Sequence, residues 1–150
     1  MEALIRLAQN VVELTPRDMF NEIFRQRPAM VKFVISLNLY NQLFDEGVDS
    51  EGRVIGYYKP ETQRRRPNKI AGTPYTLHDT GDFYDSVRVE LLDGELEFWS
   101  DEMKMLGSMV EIYGDSILGL TQESQEMLVG AIKDENIADI LEKLIFRGIV

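Results

Sequence analysis

The residues of this chain best suited to chemistry lie near its middle, in "HDTGDFYDS". Asp79, Thr80 and Gly81 put a carboxylate on a tight turn, with His78 before it and Asp82 and Asp85 after it. Where two such aspartates face each other, one carboxyl stays protonated beside its neighbour, and the pair activates water for hydrolysis. His78, Asp79 and Asp82 also offer one imidazole and two carboxylates, the donor types of a metal site. Asp45, Asp49 and Glu51, around Gly47 and Gly52, supply further oxygen ligands of the kind found in calcium loops. A third chemistry is anion recognition, for which Lys59, Arg64, Arg65, Arg66 and Lys69 form the one basic cluster.

Context decides among these. Retroviral-type aspartic proteases place Asp-Thr-Gly after an apolar strand and later show two apolar residues followed by glycine. Ile117-Leu118-Gly119 imitates the second feature, but Thr76, Leu77 and His78 are not a continuous apolar strand. A helical pattern also lies between the two motifs, where those enzymes are almost wholly β. One histidine among loop carboxylates lacks the spacing of recognised metal sites. The 45–52 segment lacks the alternating ligands and terminal bidentate Glu of a calcium loop. Turn chemistry explains the triplet more simply. Asp79 and Thr80 bond their own backbone, Gly81 supplies a positive φ, Phe83 and Tyr84 anchor the turn, and Ser86 opens a strand. No catalytic residue, metal ligand or cofactor is expected, and a hydrolase using Asp79 or Asp82 stands as the least favoured reading.

The chain has 150 residues, no cysteine and a net charge of −10 from 26 acidic and 16 basic residues. That length suits a single domain able to bury roughly 70% of its unfolded surface without a metal or disulfide staple. The absence of cysteine excludes disulfide frameworks, thiolate zinc sites and cysteine nucleophiles. The acidic balance disfavours general nucleic-acid binding. The N-terminus lacks the pattern of a signal peptide, and no apolar run approaches the roughly 18 residues that span a bilayer. A soluble, cytoplasmically made protein with no membrane partner is expected.

The elements that must position these residues follow an α+β pattern, with residues 1–150 as one domain. The helical part is 1–47. Leu4, Leu7, Ala8, Val11 and Val12 share a helical face that Pro16 terminates. Thr15 caps a second helix carrying Met19, Phe20, Ile23 and Phe24, with Pro16 at its first position and Asp18 in its first turn. Pro28 interrupts it. From Ala29 to Phe44 the residues Met30, Phe33, Val34, Leu37, Tyr40 and Phe44 form one stripe, widened by Val31, Ile35 and Leu39. Such a helix is buried on more than one side. Gly47 ends it. Residues 48–81 are rich in Gly and Pro and show little periodicity, which predicts a long extended arm over about 48–76, mobile or held from outside the domain.

Residues 82–150 then hold a hairpin and helices. Alternation over 86–99 with Asp93-Gly94 at the turn predicts a two-residue β-hairpin. It pairs Leu91 with Leu96 and Val89 with Phe98 on the core face, and Glu90 with Glu97 on the wet face, where Arg88 softens the repulsion. Asp101 is expected to cap a helix carrying Met105, Leu106, Met109, Val110 and Tyr113, closed by Gly114. After the turn "SILGL", Thr121 caps a helix carrying Met127, Leu128, Ala131 and Ile132. A last helix carries Ile137, Ile140, Leu141, Leu144 and Ile145.

Several of these features, in this order, resemble tailed-phage virion morphogenesis proteins, the group of tail-completion and head–tail joining proteins. The matching residues are Pro74, Leu77, Asp79, Thr80, Gly81, Phe83 and Ser86, followed by strand residues Val87 and Val89. Phe83 stands where leucine is usual. Tyr57, Tyr58 and Pro60 match an earlier aromatic-proline phrase. Tyr113-Gly114 and Ile117-Leu118-Gly119-Leu120-Thr121 match later ones. The resemblance runs from about Leu37 to about Ile132. The first 28 residues and the last helix lie outside it, and the phrase Y-A-x-x-H-x-x-G is missing. It implies a structural subunit of a bacteriophage neck or tail (connector or adaptor, stopper, or tail-completion ring) located in the virion and made in the host bacterial cytoplasm. Its implied partners are copies of itself in a ring and the portal, adaptor or tail proteins, with DNA passing without sequence specificity. Tyr57, Tyr58, Lys59, Arg64, Arg65, Arg66 and Lys69 are the candidate assembly contacts. The alternative is a non-virion assembly chaperone or interaction module.

Overall fold

Two prolines punctuate the N-terminal half as expected. In the computed structural model, which describes residues 1–13, 15–102, 107–134 and 137–146, α1 spans Glu2–Glu13, α2 Pro16–Gln26 and α3 Pro28–Ser36. Thr15 and Asp18 form a reciprocal capping box at the start of α2. Of the apolar stripe expected on α1, Leu4 and Ala8 are exposed and Leu7 is half-buried, and the helix meets the chain mainly at α8 (Ile137–Ile145). There Asn10 is buried and its side-chain amide donates to the Ile145 carbonyl at 2.7 Å.

The central helix departs from regular winding. Beyond α3 it continues as a π-helical segment, Leu37–Glu46, ended by Gly47 at φ 67°. There the Gly47 N–H reaches back five residues to the Gln42 carbonyl. The wider winding rotates the expected stripe. Met30, Val34, Leu37 and Leu39 are buried as predicted, but so are Asn38, Gln42 and Leu43. Tyr40 and Phe44, placed on the core stripe by a 3.6-residue period, are instead 51% and 46% exposed.

The fold is α+β, with helices flanking one two-stranded antiparallel sheet. Strands β1 (Val87–Leu92) and β2 (Glu95–Ser100) have the predicted register, with Leu91 opposite Leu96, Val89 opposite Phe98 and Glu90 opposite Glu97. Asp93 and Gly94 turn the hairpin at φ 52° and 82°, both positive as a two-residue primed turn requires. The tip is held on α2, where the Gly94 N–H donates to the Asn21 side chain at 3.1 Å and Arg17 pairs with Asp93 at 3.2 Å. Arg88 does not reach the Glu90–Glu97 pair. It turns back to Asp101 at 3.4 Å and to the backbone carbonyls of Asp85 and Val87.

Two apolar clusters follow, and the central helix serves both. The first joins Ile23, Phe24, Met30, Val34, Leu37, Val89, Leu128 and Leu144. The second joins Leu39, Leu43, Leu77, Phe83, Tyr84, Val87 and Ile117. The C-terminal half differs at one cap. The helix that is described there, α6 (Met109–Tyr113), is capped by Ser108 and not by Asp101, through a capping box with Glu111. Thr121 caps α7 (Gln122–Asp134) by accepting the Ser124 N–H at 3.1 Å. Met105 and Leu106, and the side chains of Val11, Val12, Ile137, Ile140 and Leu141, lie outside the described residues. Among the described residues no helix is long and apolar enough to cross a membrane.

Residues 48–76 are not an extended arm. They fold back on themselves, because their backbone groups find partners inside the segment. Val48 bridges Val54, and Tyr57 bridges Pro74. The Tyr58 N–H donates to the Thr73 carbonyl at 2.9 Å, and the Gly72 N–H returns to the Tyr58 carbonyl at 2.9 Å. A short helix, α4 (Pro60–Arg65), occupies the far end. At the near end Gly47 lets the chain pass against Pro74, with which a Cβ would collide.

Candidate functional site

The sequence-predicted site residues converge only in part. Asp79, Thr80 and Gly81 make a corner between the folded-back segment and α5 (Asp82–Ser86), which feeds β1. Gly81 stands at φ 95°, the positive value the turn requires. Thr80 donates its hydroxyl to the Asp82 carboxylate at 2.7 Å. Phe83 and Ser86 are buried. Phe83 packs in the second cluster, and Ser86 bonds the Phe83 carbonyl and the Ser100 hydroxyl, each at 2.6 Å. Ser86 thus ends α5 and ties it to the last residue of β2.

The approach to the corner is strained and then locked. Leu77 adopts φ 55°, unusual for a residue with a Cβ and costing about 1–3 kcal/mol, with its side chain buried in the second cluster. His78 is gripped edge-on between Phe44 and Tyr84, with ring centroids 5.8 Å and 4.8 Å away. Tyr84 donates its hydroxyl to the Thr76 carbonyl at 2.6 Å, and burial pushes its phenol well above the ordinary value.

Beside the corner runs a groove of about 400 Å3 lined by Tyr58, Thr62, Arg65, Arg66, Lys69 and Asp79. It brings together five residues the sequence had marked: Tyr58, Arg65, Arg66, Lys69 and Asp79. Arg66 pairs with Asp79 at 3.1 Å. Lys69 is not a surface contact. It is only 8% exposed, its ammonium donates to the His78 carbonyl, and it lies 5.3 Å from the centre of the Tyr58 ring. Burial acts to raise the Tyr58 phenol, but hydrogen bonds from the Thr76 hydroxyl and amide, with the Lys69 ammonium, outweigh it and hold the phenol below its ordinary value. Lys59, Arg64 and Tyr57 do not line the groove and are exposed.

With three cationic side chains and one carboxylate, this groove is suited to holding an anionic group. It is not suited to a two-aspartate mechanism: Asp79 faces a guanidinium where a second carboxyl would have to share its proton. Among the described residues no cluster of His, Asp and Glu has metal-site geometry. Asp49, considered as a calcium ligand, is spent on its own loop. Its carboxylate accepts the amides of Glu51 and Arg53 at 3.0 and 2.9 Å and both arms of the Arg53 guanidinium. Burial would raise this carboxyl, yet the Arg53 and Glu51 amides, the Arg53 guanidinium and the Ser116 hydroxyl together hold it below the ordinary value.

Sequence reasoning missed the residues that pin "SILGL". Asn38 donates to the Ile117 carbonyl at 3.0 Å, and Gln42 bonds Gly119 and Thr121. Their signal was present as two amides, four residues apart, inside an otherwise apolar run. A second concavity of about 590 Å3 lies between α2, the core face of the hairpin and α7, lined mainly by apolar residues including Phe20, Leu96, Phe98 and Leu128. No family model, curated protein or solved structure matches the chain.

Proposed function

We propose that this chain is a structural subunit of a bacteriophage neck or tail, working by contact with copies of itself and with portal, adaptor or tail proteins. The observation that carries the reading is the corner at Asp79-Thr80-Gly81. It is the centre of the motif order that resembles the tail-completion and head–tail joining group, and its residues serve packing: Asp79 is paired with Arg66, Thr80 is bonded to Asp82, and Gly81 sits at φ 95°. The basic groove beside it supports a role in holding an acidic surface. The net charge of −10 fits a subunit past which DNA moves without adhering.

Quantitative mass spectrometry of purified virions of the phage that encodes the chain tests the reading. A small fixed ratio to the major capsid protein is expected. Absence from finished particles overturns it and favours an assembly chaperone acting before the virion is complete.

A further inference from the structure

Among the described residues nothing covers the outer face of the hairpin. It carries Arg88, Glu90 and Leu92 from β1 and Glu95, Glu97 and Trp99 from β2, all exposed, while the alternate residues face the core. A two-stranded ribbon is only marginally stable unless something packs on it, and here only one face is packed. On the open face Glu90 stands directly opposite Glu97. Neither meets a cation among the described residues, because Arg88 is engaged with Asp101. Like charges in that position are unfavourable. Beside them the only tryptophan of the chain, Trp99, is 42% exposed. Tryptophan is a frequent anchor of protein interfaces.

The folded-back segment carries the complementary set. Arg64 and Arg65, in the last turn of α4, are exposed and meet no carboxylate among the described residues. Tyr57 and Ile70, on the two limbs of the same segment, are 55% and 57% exposed. The segment is pinned by the Arg66–Asp79 and Lys69–His78 contacts, so these arginines stay where no described carboxylate of their own chain meets them. Copies of an acidic protein repel each other unless unlike patches meet.

We propose that the outer hairpin face of one copy is covered by the 57–70 segment of a second copy, with Arg64 and Arg65 neutralising Glu90 and Glu97 around Trp99. The two patches differ, so the contact is head-to-tail, and it closes into a ring where the rotation between copies allows. The inference rests on reading the chain as a self-assembling subunit and names the surfaces it uses.

The test is sedimentation velocity on the purified full chain, with the emission of Trp99 read in parallel and circular dichroism confirming that each variant is folded. The wild-type chain associates with a blue shift of Trp99 emission, and added salt weakens the association. The Arg64→Glu/Arg65→Glu variant and the Glu90→Lys/Glu97→Lys variant each lose association by about 100-fold. Mixing these two variants restores it, because each then offers the patch the other has lost. A monomeric wild-type chain, association indifferent to both reversals, or no recovery on mixing overturns the proposal. Virion content is read separately. A chain present in particles but indifferent to the reversals loses this interface and keeps its structural role. A chain absent from particles that passes the mixing test keeps the interface and loses the virion role.

Discussion

The side chain of Gln42 spans the chain from Gly119 to Thr121, donating to the Gly119 carbonyl at 2.9 Å and accepting the Thr121 N–H at 2.9 Å. Gln42 is 1% exposed, so a residue without these bonds strands two backbone groups. Gln42→Leu, close in volume, is expected to lose about 2–4 kcal/mol in urea unfolding. Asn38→Leu is expected to lose less, because among the described residues Asn38 makes one bond, to Ile117, and its Oδ1 has no partner. Equal losses would show that burial alone, not the bonds to "SILGL", sets the cost.

The Asp49 loop gives a pH dependence of known sign. The folded state holds the carboxyl below its ordinary value of 3.8. Its contribution is therefore complete above the unfolded pKa and is lost as pH falls through the lower, folded one. Asp49→Asn is expected to cost about 2 kcal/mol at neutral pH, and the gap to wild type narrows below about pH 4. Thermal melts of both proteins across that range check it, and a gap that widens on acidification would contradict it.

At the corner, Asp79 and Arg66 form an ion pair with side chains 40% and 57% exposed. Solvent screens such pairs, so Asp79→Asn and Arg66→Ala are each expected to cost less than about 1 kcal/mol, with a coupling of similar size in the double variant. Gly81→Ala, at φ 95°, is expected to cost more, about 1–2 kcal/mol, from backbone strain alone. A collapse of the fold in Asp79→Asn would show a buried role for the carboxylate that its exposure argues against.

The hairpin tip supplies a steric prediction. A Cβ on Gly94 would meet Arg17 Cγ at 2.8 Å and would sit at φ 82°. Gly94→Ala is expected to destabilise by about 1–2 kcal/mol, while Arg17→Ala costs a few tenths because the Arg17–Asp93 pair is exposed. Denaturant midpoints of the two variants order them.

The features legible from residue order alone follow local rules. The hairpin register follows from period-two alternation and the Asp93-Gly94 turn, the start of α2 from Thr15, Pro16 and Asp18, and the positive φ at Gly81 from its place in a tight turn. Tertiary structure decided the rest. Tyr40 and Phe44 left the core stripe because backbone bonds five residues apart replaced the usual four, a choice made where Asn38 and Gln42 found partners 79, 77 and 79 residues away. The 48–76 segment folded onto itself because its hydrogen bonds join residues such as Tyr58 and Thr73, a pairing no periodicity announces. The same folding separated the roles of the basic residues: it turned Arg66 and Lys69 onto Asp79 and His78, left Arg65 on the groove wall with no ion pair among the described residues, and left Arg64 outward. A charge run gives composition, and only the path of the backbone decides which charges it pairs.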